Sequence, residues 1–98
     1  MKTLKKTDEF DSWLAALRDS RAKAQIFKRL ARIELGNLGD HKAIGDGVSE
    51  LRIDYGPGYR LYYTNQKGYI VFLLIGGEKS SQARDIIRAK QLAKEYEG

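Results

Sequence analysis

Gly56-Pro57-Gly58 turns the chain back on itself between two runs that alternate as strands do, Leu51-Arg-Ile53 and Tyr59-Arg-Leu-Tyr-Tyr63. Proline holds φ near about −65°, which suits the first central position of a turn, and Gly58 supplies the positive φ that a type II turn needs at the second. Side chains alternate across a strand, so Leu51 and Ile53 share one face while Arg52 points the other way. On the return, Tyr59, Leu61 and Tyr63 share a face, and Arg60 and Tyr62 share its opposite. With the aliphatic face toward a core, Arg52, Arg60 and Tyr62 are expected to form an exposed basic and aromatic patch. Guanidinium groups and phenol rings on one surface suit phosphates and stacked bases.

Helical spacing brackets this hairpin on both sides. Residues 2–6 read as a short edge strand or a frayed start. Thr7 is placed as an N-cap, followed by the apolar stripe Phe10, Trp13, Leu14 and Leu17 and an end near Arg18-Asp19. Ser20 is expected to cap a second helix that buries Ala24, Ile26, Phe27, Leu30, Ala31 and Ile33. Arg21, Lys23, Lys28, Arg29 and Arg32 then form its solvated face, and Gly36 or Asn37 stops it. Gly36-Asn-Leu-Gly-Asp40 and Gly45-Asp-Gly47 bound a turn-rich connection that holds His41 and Lys42. Strands are expected at 48–55 and 59–65, then a turn at Asn65-Gln-Lys-Gly68. Tyr69–Ile75 is apolar on both faces, as in a covered central strand, and Gly76-Gly77 is read as its break. Ser80 or Ser81 then caps a last helix with Ala83, Ile86, Ile87 and Ala93 as apolar positions. The fold class expected is α+β: a helical hairpin packed on a small antiparallel sheet, with a C-terminal helix, in a single domain spanning 1–98.

Composition narrows the chemistry. The chain has 98 residues, no cysteine and one histidine, His41, which removes thiol catalysis, cysteine-ligated zinc and a histidine acid–base pair. His41 itself reads as a solvated loop side chain. No Asp, Glu and His cluster has ligand spacing, so neither a metal nor another cofactor is expected. The start lacks an apolar run long enough for a signal peptide or a membrane span, and a cytoplasmic protein without a membrane partner is expected. A net charge of +5 favours polyanionic partners.

A second suspicious segment is Gly76-Gly-Glu-Lys-Ser-Ser81, where a strand end meets a helix start. Free N–H groups, the helix dipole and Lys79 favour an anion there. The G-x-x-x-x-G-K-[ST] spacing of a nucleotide-binding loop is absent, so nucleotide hydrolysis is rejected. The plain alternative is a strand exit softened by glycine and capped by serine. In a meander, Arg52, Arg60, Lys79 and Arg84 can share one open face and grip a bent phosphodiester. Cross-strand pairing of the arginines with Glu50 or Asp54 is the competing arrangement. The reading requires Arg60 and Lys79 on the same side, neither consumed by an internal ion pair.

Gly36–Asp40, Gly47-Val-Ser-Glu-Leu-Arg-Ile53, Gly56-Pro-Gly-Tyr-Arg60 and Leu74-Ile-Gly-Gly-Glu-Lys-Ser-Ser-Gln82 together resemble the RelE/ParE toxin superfamily. The nearest branch is the HigB-like, phage-derived addiction module killer group of type II toxin–antitoxin systems, and the resemblance runs from Lys5 to Ala93. It implies a toxin, and for many relatives a ribosome-dependent messenger RNA endonuclease that inhibits translation. Arg60 corresponds to the arginine of the Gly-Tyr-Arg motif. Lys79 matches the basic residue after the last strand, and Arg52 a basic strand position. The C-terminal tyrosine of some relatives has no match here: Arg84 stands close to its place, and Tyr96 lies beyond it. The implied catalytic set is therefore Arg60, Lys79, Arg52 and Arg84, with Tyr62, Lys42 and Tyr59 as RNA contacts.

In such a reaction no metal is needed. The RNA 2′-OH attacks the adjacent phosphorus, and the 5′-oxygen leaves. The sequence offers no strong general base. Implied partners are messenger RNA on the ribosome and a cognate antitoxin, commonly of helix-turn-helix type, that covers the basic face or displaces the last helix. The alternatives are a non-enzymatic DNA gyrase inhibitor of the ParE kind and a non-toxic nucleic-acid-binding relative.

Overall fold

A computed structural model describes residues 1–96. In chain order it has β1 (Thr3–Lys6), α1 (Asp8–Ala16), α2 (Ser20–Glu34), β2 (His41–Gly45), β3 (Val48–Ile53), β4 (Tyr59–Gln66), β5 (Ile70–Glu78), a 3-10 turn (Lys79–Ser81) and α3 (Gln82–Glu95). The strands form one sheet in the order β1-β5-β4-β3-β2. From β3 to β5 it is the expected antiparallel meander; β2 extends it by one antiparallel strand, while β1 joins the edge of β5 in parallel and makes the sheet mixed.

Helix α1 starts where expected. Thr7 Oγ1 accepts from Phe10 N at 2.9 Å and donates to Leu74 O at 2.6 Å, so one hydroxyl caps the helix and ties it to β5. Asp19, not Ser20, caps α2, accepting from the N–H groups of Arg21 and Ala22. A carboxylate one residue upstream outcompetes the serine because it receives two backbone donors and favours the positive helix end.

The helical hairpin covers one face of the sheet. Phe10, Leu14, Ala22, Ile26, Leu30 and Ile33 pack there on Leu51, Ile53, Tyr59, Leu61, Tyr63, Val71 and Leu73. Helix α3 covers the other face, where Ala89 and Leu92 meet Val48, Tyr62 and Leu74. The expected buried face of α2 is rotated: Ala22 is buried, whereas Ala24, Phe27 and Ala31 are exposed. The stripe 22-26-30-33 satisfies the helical period as well as the expected set does, and the sheet accepts only one of them.

Two turn assignments also change. The hairpin closes by Gly58 N donating to Tyr55 O at 3.0 Å, so Gly56 (φ 55°) is the first central residue and Pro57 the second. This turn lies inside the longer loop 54–58, since the strands stop pairing at Ile53 and Tyr59, and Gly56 supplies the positive φ at its first central position. The turn-rich connection contains a whole strand, β2, which carries His41 and Lys42 along the sheet edge rather than in a loop. Its five residues are mostly exposed and mixed in polarity, too weak a pattern to read as a strand.

Arg29 was expected on the solvated face and instead holds this connection in place. Its guanidinium donates to Leu38 O at 2.9 Å, Arg52 O at 2.9 Å and Asp40 O at 2.7 Å. A Cβ on Gly39 would stand 2.8 Å from that guanidinium, so the glycine makes room for it. Arg29→Ala should cost about 2–3 kcal/mol in urea unfolding, because three charge-assisted bonds are lost together. Arg29→Lys should recover only part, since an ammonium cannot span the same carbonyls.

Candidate nucleic-acid site at the end of the sheet

Register builds the site in two rows. Arg52, Arg60 and Gly77 lie side by side across β3, β4 and β5. Lys42, Glu50, Tyr62 and Ile75 form the adjoining row. Direct cross-strand partners share a face, so both rows look toward the α3 side. Lys79 follows β5 and donates its backbone N–H to Gly58 O at 2.7 Å. A Cβ on Gly58 would stand 3.5 Å from Lys79 Cβ and 3.9 Å from Arg60 Nη1, so both cations flank the tip of the hairpin. Arg60 and Lys79 are thus on the same side, as the sequence reading required.

The second requirement fails for Arg60. Its Nε stands 3.0 Å from Glu50 Oε2, and the Glu50 side chain is only 4% exposed. The Nε–H is not aimed at that oxygen, so charge rather than an aligned hydrogen bond holds the pair. Arg52 is likewise engaged, 2.9 Å from Asp40 Oδ1. Two guanidiniums opposite one another would repel, and a carboxylate beside each separates them. Lys79 is exposed and, among the described residues, has no carboxylate in ion-pair range.

The exposed aromatic patch does not exist. Tyr62 is fully buried beneath α3 and Tyr59 is buried against Trp13, so neither ring is open to a base in this arrangement. The reason is α3 itself, whose apolar stripe covers the sheet face assigned to solvent. Burial pushes the Tyr62 phenol far above its ordinary value, the carboxylates of Glu50 and Asp85 add to this, and Arg60 opposes it. Its hydroxyl has no hydrogen-bond partner among the described residues. Burial also raises the Tyr59 phenol, with Glu78 next in effect. Lys42 is exposed on the edge strand, opposite Glu50.

Arg84 belongs to α3 and to neither strand row. It is largely exposed, 4.0 Å from Asp85, and lines a separate cleft with Trp13, Leu17 and Gly76 between α1 and α3. Arg88 closes that cleft through two hydrogen bonds to Glu9. The Arg88 guanidinium holds the Glu9 carboxyl below its usual range.

Strand β5 runs through Gly76-Gly77 to Glu78, so the glycines do not break it. They let two helices touch the same strand end from opposite sides. A Cβ on Gly76 would lie 2.3 Å from the Trp13 ring, and one on Gly77 would lie 1.9 Å from Asp85 Oδ2. Asp85 is buried and accepts from the Ser81 hydroxyl, whose oxygen also lies 3.1 Å from Glu78 O. The anion expected at this helix start is therefore supplied by the chain's own first-turn carboxylate.

Three polar residues at the site were not singled out as functional: Glu50, Asp85 and Gln82. Gln82 Nε2 donates to Glu50 Oε1 at 3.2 Å and links α3 to β3. Glu50 carried a legible signal. Counting back from the hairpin turn puts this carboxylate on the face of Arg52 and Arg60, beside apolar neighbours. Asp85 carried none, because its burial depends on how α3 docks.

Comparison with known proteins adds the following. Residues 12–95 match the family described as phage derived protein Gp49-like (DUF891). An uncharacterized protein of Haemophilus influenzae is 54% identical over 92 residues, covering 94% of this chain and 93% of that one. A chain of the intact E. coli RelBE toxin–antitoxin complex superposes with a TM-score of 0.66 at 20% identity, over 80% of this chain and 96% of that one. The isolated E. coli RelE toxin gives the same score and identity, over 89% of this chain and 99% of that one.

Proposed function

The chain belongs to the phage-derived Gp49-like family and has the RelE fold; from that premise we propose that it is a toxin of the RelE superfamily, acting in a type II toxin–antitoxin pair, and that it cuts messenger RNA on the ribosome. The observation that carries the nuclease reading is the Arg60–Glu50 couple beside Lys79 at the sheet end. The sequence reading required Arg60 to be free of such a pair; the mechanism proposed here departs from it by making the pair the reactive couple, with Glu50 as the base that the sequence lacked. A carboxylate and a guanidinium in contact can exchange partners with an RNA linkage: the phosphate takes the guanidinium, and the released carboxylate faces the 2′-OH.

In this reading Glu50 accepts the 2′-OH proton as that oxygen attacks phosphorus. The bond from phosphorus to the 5′-oxygen breaks, and Lys79 donates a proton to the leaving oxygen. The products are a 2′,3′-cyclic phosphate and a 5′-OH end. Arg60 and Arg52 carry the charge that grows on the non-bridging oxygens. Gln82 must leave Glu50 for RNA to enter, so opening requires the start of α3 to move.

The partner proposed is a cognate antitoxin, and the RelBE complex supports this by likeness of fold. In a second reading, non-catalytic inhibition of DNA gyrase, both strand arginines stay paired with their carboxylates. Inducible expression followed by mapping of transcript 5′ ends separates the two. New 5′-OH ends within coding regions are expected within minutes of induction. Growth arrest with intact transcripts and a DNA-damage response would replace the nuclease by the gyrase reading.

A further inference from the structure

Helix α2 turns an unused second face to solvent. Its buried side is Ala22, Ile26, Leu30 and Ile33. On the far side Ala24, Phe27, Ala31 and Leu35 recur at helical spacing and are all exposed, Phe27 by 54% and Leu35 by 73%. Along one edge of this stripe run Arg21, Lys28 and Arg32. None of the three is paired with a carboxylate among the described residues. Asp54 is the acidic residue that shares a shallow hollow with Lys28 and Arg32. Over Ser20–Glu34 there are five cations and one carboxylate, a net +4 of the chain's +5.

We infer that this face docks an amphipathic, acidic helix of the partner protein. The inference rests on the toxin reading, since that reading supplies a protein partner. An aromatic side chain set between two alanines offers a knob with a hole on either side, the arrangement helices use to interdigitate. A helix laid along the stripe would present apolar residues at i, i+3, i+4 and i+7 and carboxylates toward Arg21, Lys28 and Arg32. The stripe favours a protein helix over RNA: a base could stack on Phe27, but Ala24, Ala31 and Leu35 beside it are aliphatic and offer no further stacking surface. Charge decides the kind of helix: an unpaired cationic edge attracts an acidic flank and repels a basic one.

Docking here leaves the Arg60–Glu50 end uncovered, because α2 and α3 lie on opposite faces of the sheet. The partner then holds the toxin without filling the site.

The test co-expresses the chain with the product of the gene adjoining its own. Three forms are compared: wild type, Phe27→Ala, and Arg21→Glu/Lys28→Glu/Arg32→Glu. All the changed side chains are exposed, and circular dichroism checks the fold. Wild type should form a stable complex. Phe27→Ala should weaken it at least tenfold and the triple variant at least a hundredfold, while both variants alone still arrest growth. Complexes of unchanged affinity in both variants would overturn the inference. So would a triple variant that keeps its partner but loses affinity for a duplex RNA, which would assign the face to nucleic acid. A wild-type chain that neither arrests growth nor binds that product would overturn the toxin reading itself. A wild type that arrests growth but binds no such product would overturn only the docking inference.

Discussion

Arg60→Ala should abolish growth arrest and cost about 3–5 kcal/mol of stability, because it strands the buried Glu50 carboxylate without its cation. The two losses must be separated. Arg60→Ala combined with Glu50→Gln removes both charges, and it should recover most of the stability while growth arrest stays lost. Lys79→Ala removes an exposed side chain with no ion pair in the described structure, so its unfolding midpoint should move by no more than about 0.5 kcal/mol. RNA cleavage should nonetheless slow about 100-fold if Lys79 donates the proton to the leaving oxygen. Thermal melts alongside a transcript-cleavage assay read both quantities. Full cleavage by a well-folded Arg60→Ala/Glu50→Gln protein would remove both residues from the mechanism.

The largest purely structural effect is expected at Gly77. An added methyl carbon there would meet Asp85 Oδ2 at 1.9 Å and Asp85 Cγ at 2.8 Å. Asp85 cannot step aside freely, since it is buried and receives the Ser81 hydroxyl. Gly77→Ala should therefore unseat the first turn of α3 and cost about 3 kcal/mol. Removing the obstacle as well, in Gly77→Ala/Asp85→Ala, should return part of that loss, a positive coupling that a double-mutant cycle measures. An unchanged unfolding midpoint in Gly77→Ala would mean that α3 does not press on β5 as described.

Apart from β2, the element order was legible because most of it is written in local chemistry. Thr7, the 3.6-residue stripes and the Gly56–Gly58 turn act within a few residues of themselves. What escaped depends on docking. Tyr62 alternates correctly along its strand, yet alternation says only which face it takes, not whether a helix later covers that face. Arg29 has the local pattern of a solvated side chain, and only the folded connection brings three carbonyls to it. Gly76-Gly77 has the composition of a breaker. Its requirement for glycine arises from Trp13 and Asp85, residues distant in sequence. At the site, the shared side of Arg60 and Lys79 followed from strand order. Cross-strand pairing with Glu50, the competing arrangement, is the one Arg60 adopts, whereas Asp40, the partner of Arg52, lies outside the paired strands and was not legible.

Trp13 is the single tryptophan of the chain, and its ring lies flush against Gly76, one residue from where Asp85 braces α3. With excitation at wavelengths that tyrosine does not absorb, emission from the native protein therefore arises from one indole at the junction of both helical layers. The molecule carries its own optical gauge of whether its final helix is seated, and no dye or tag has to be added to read it.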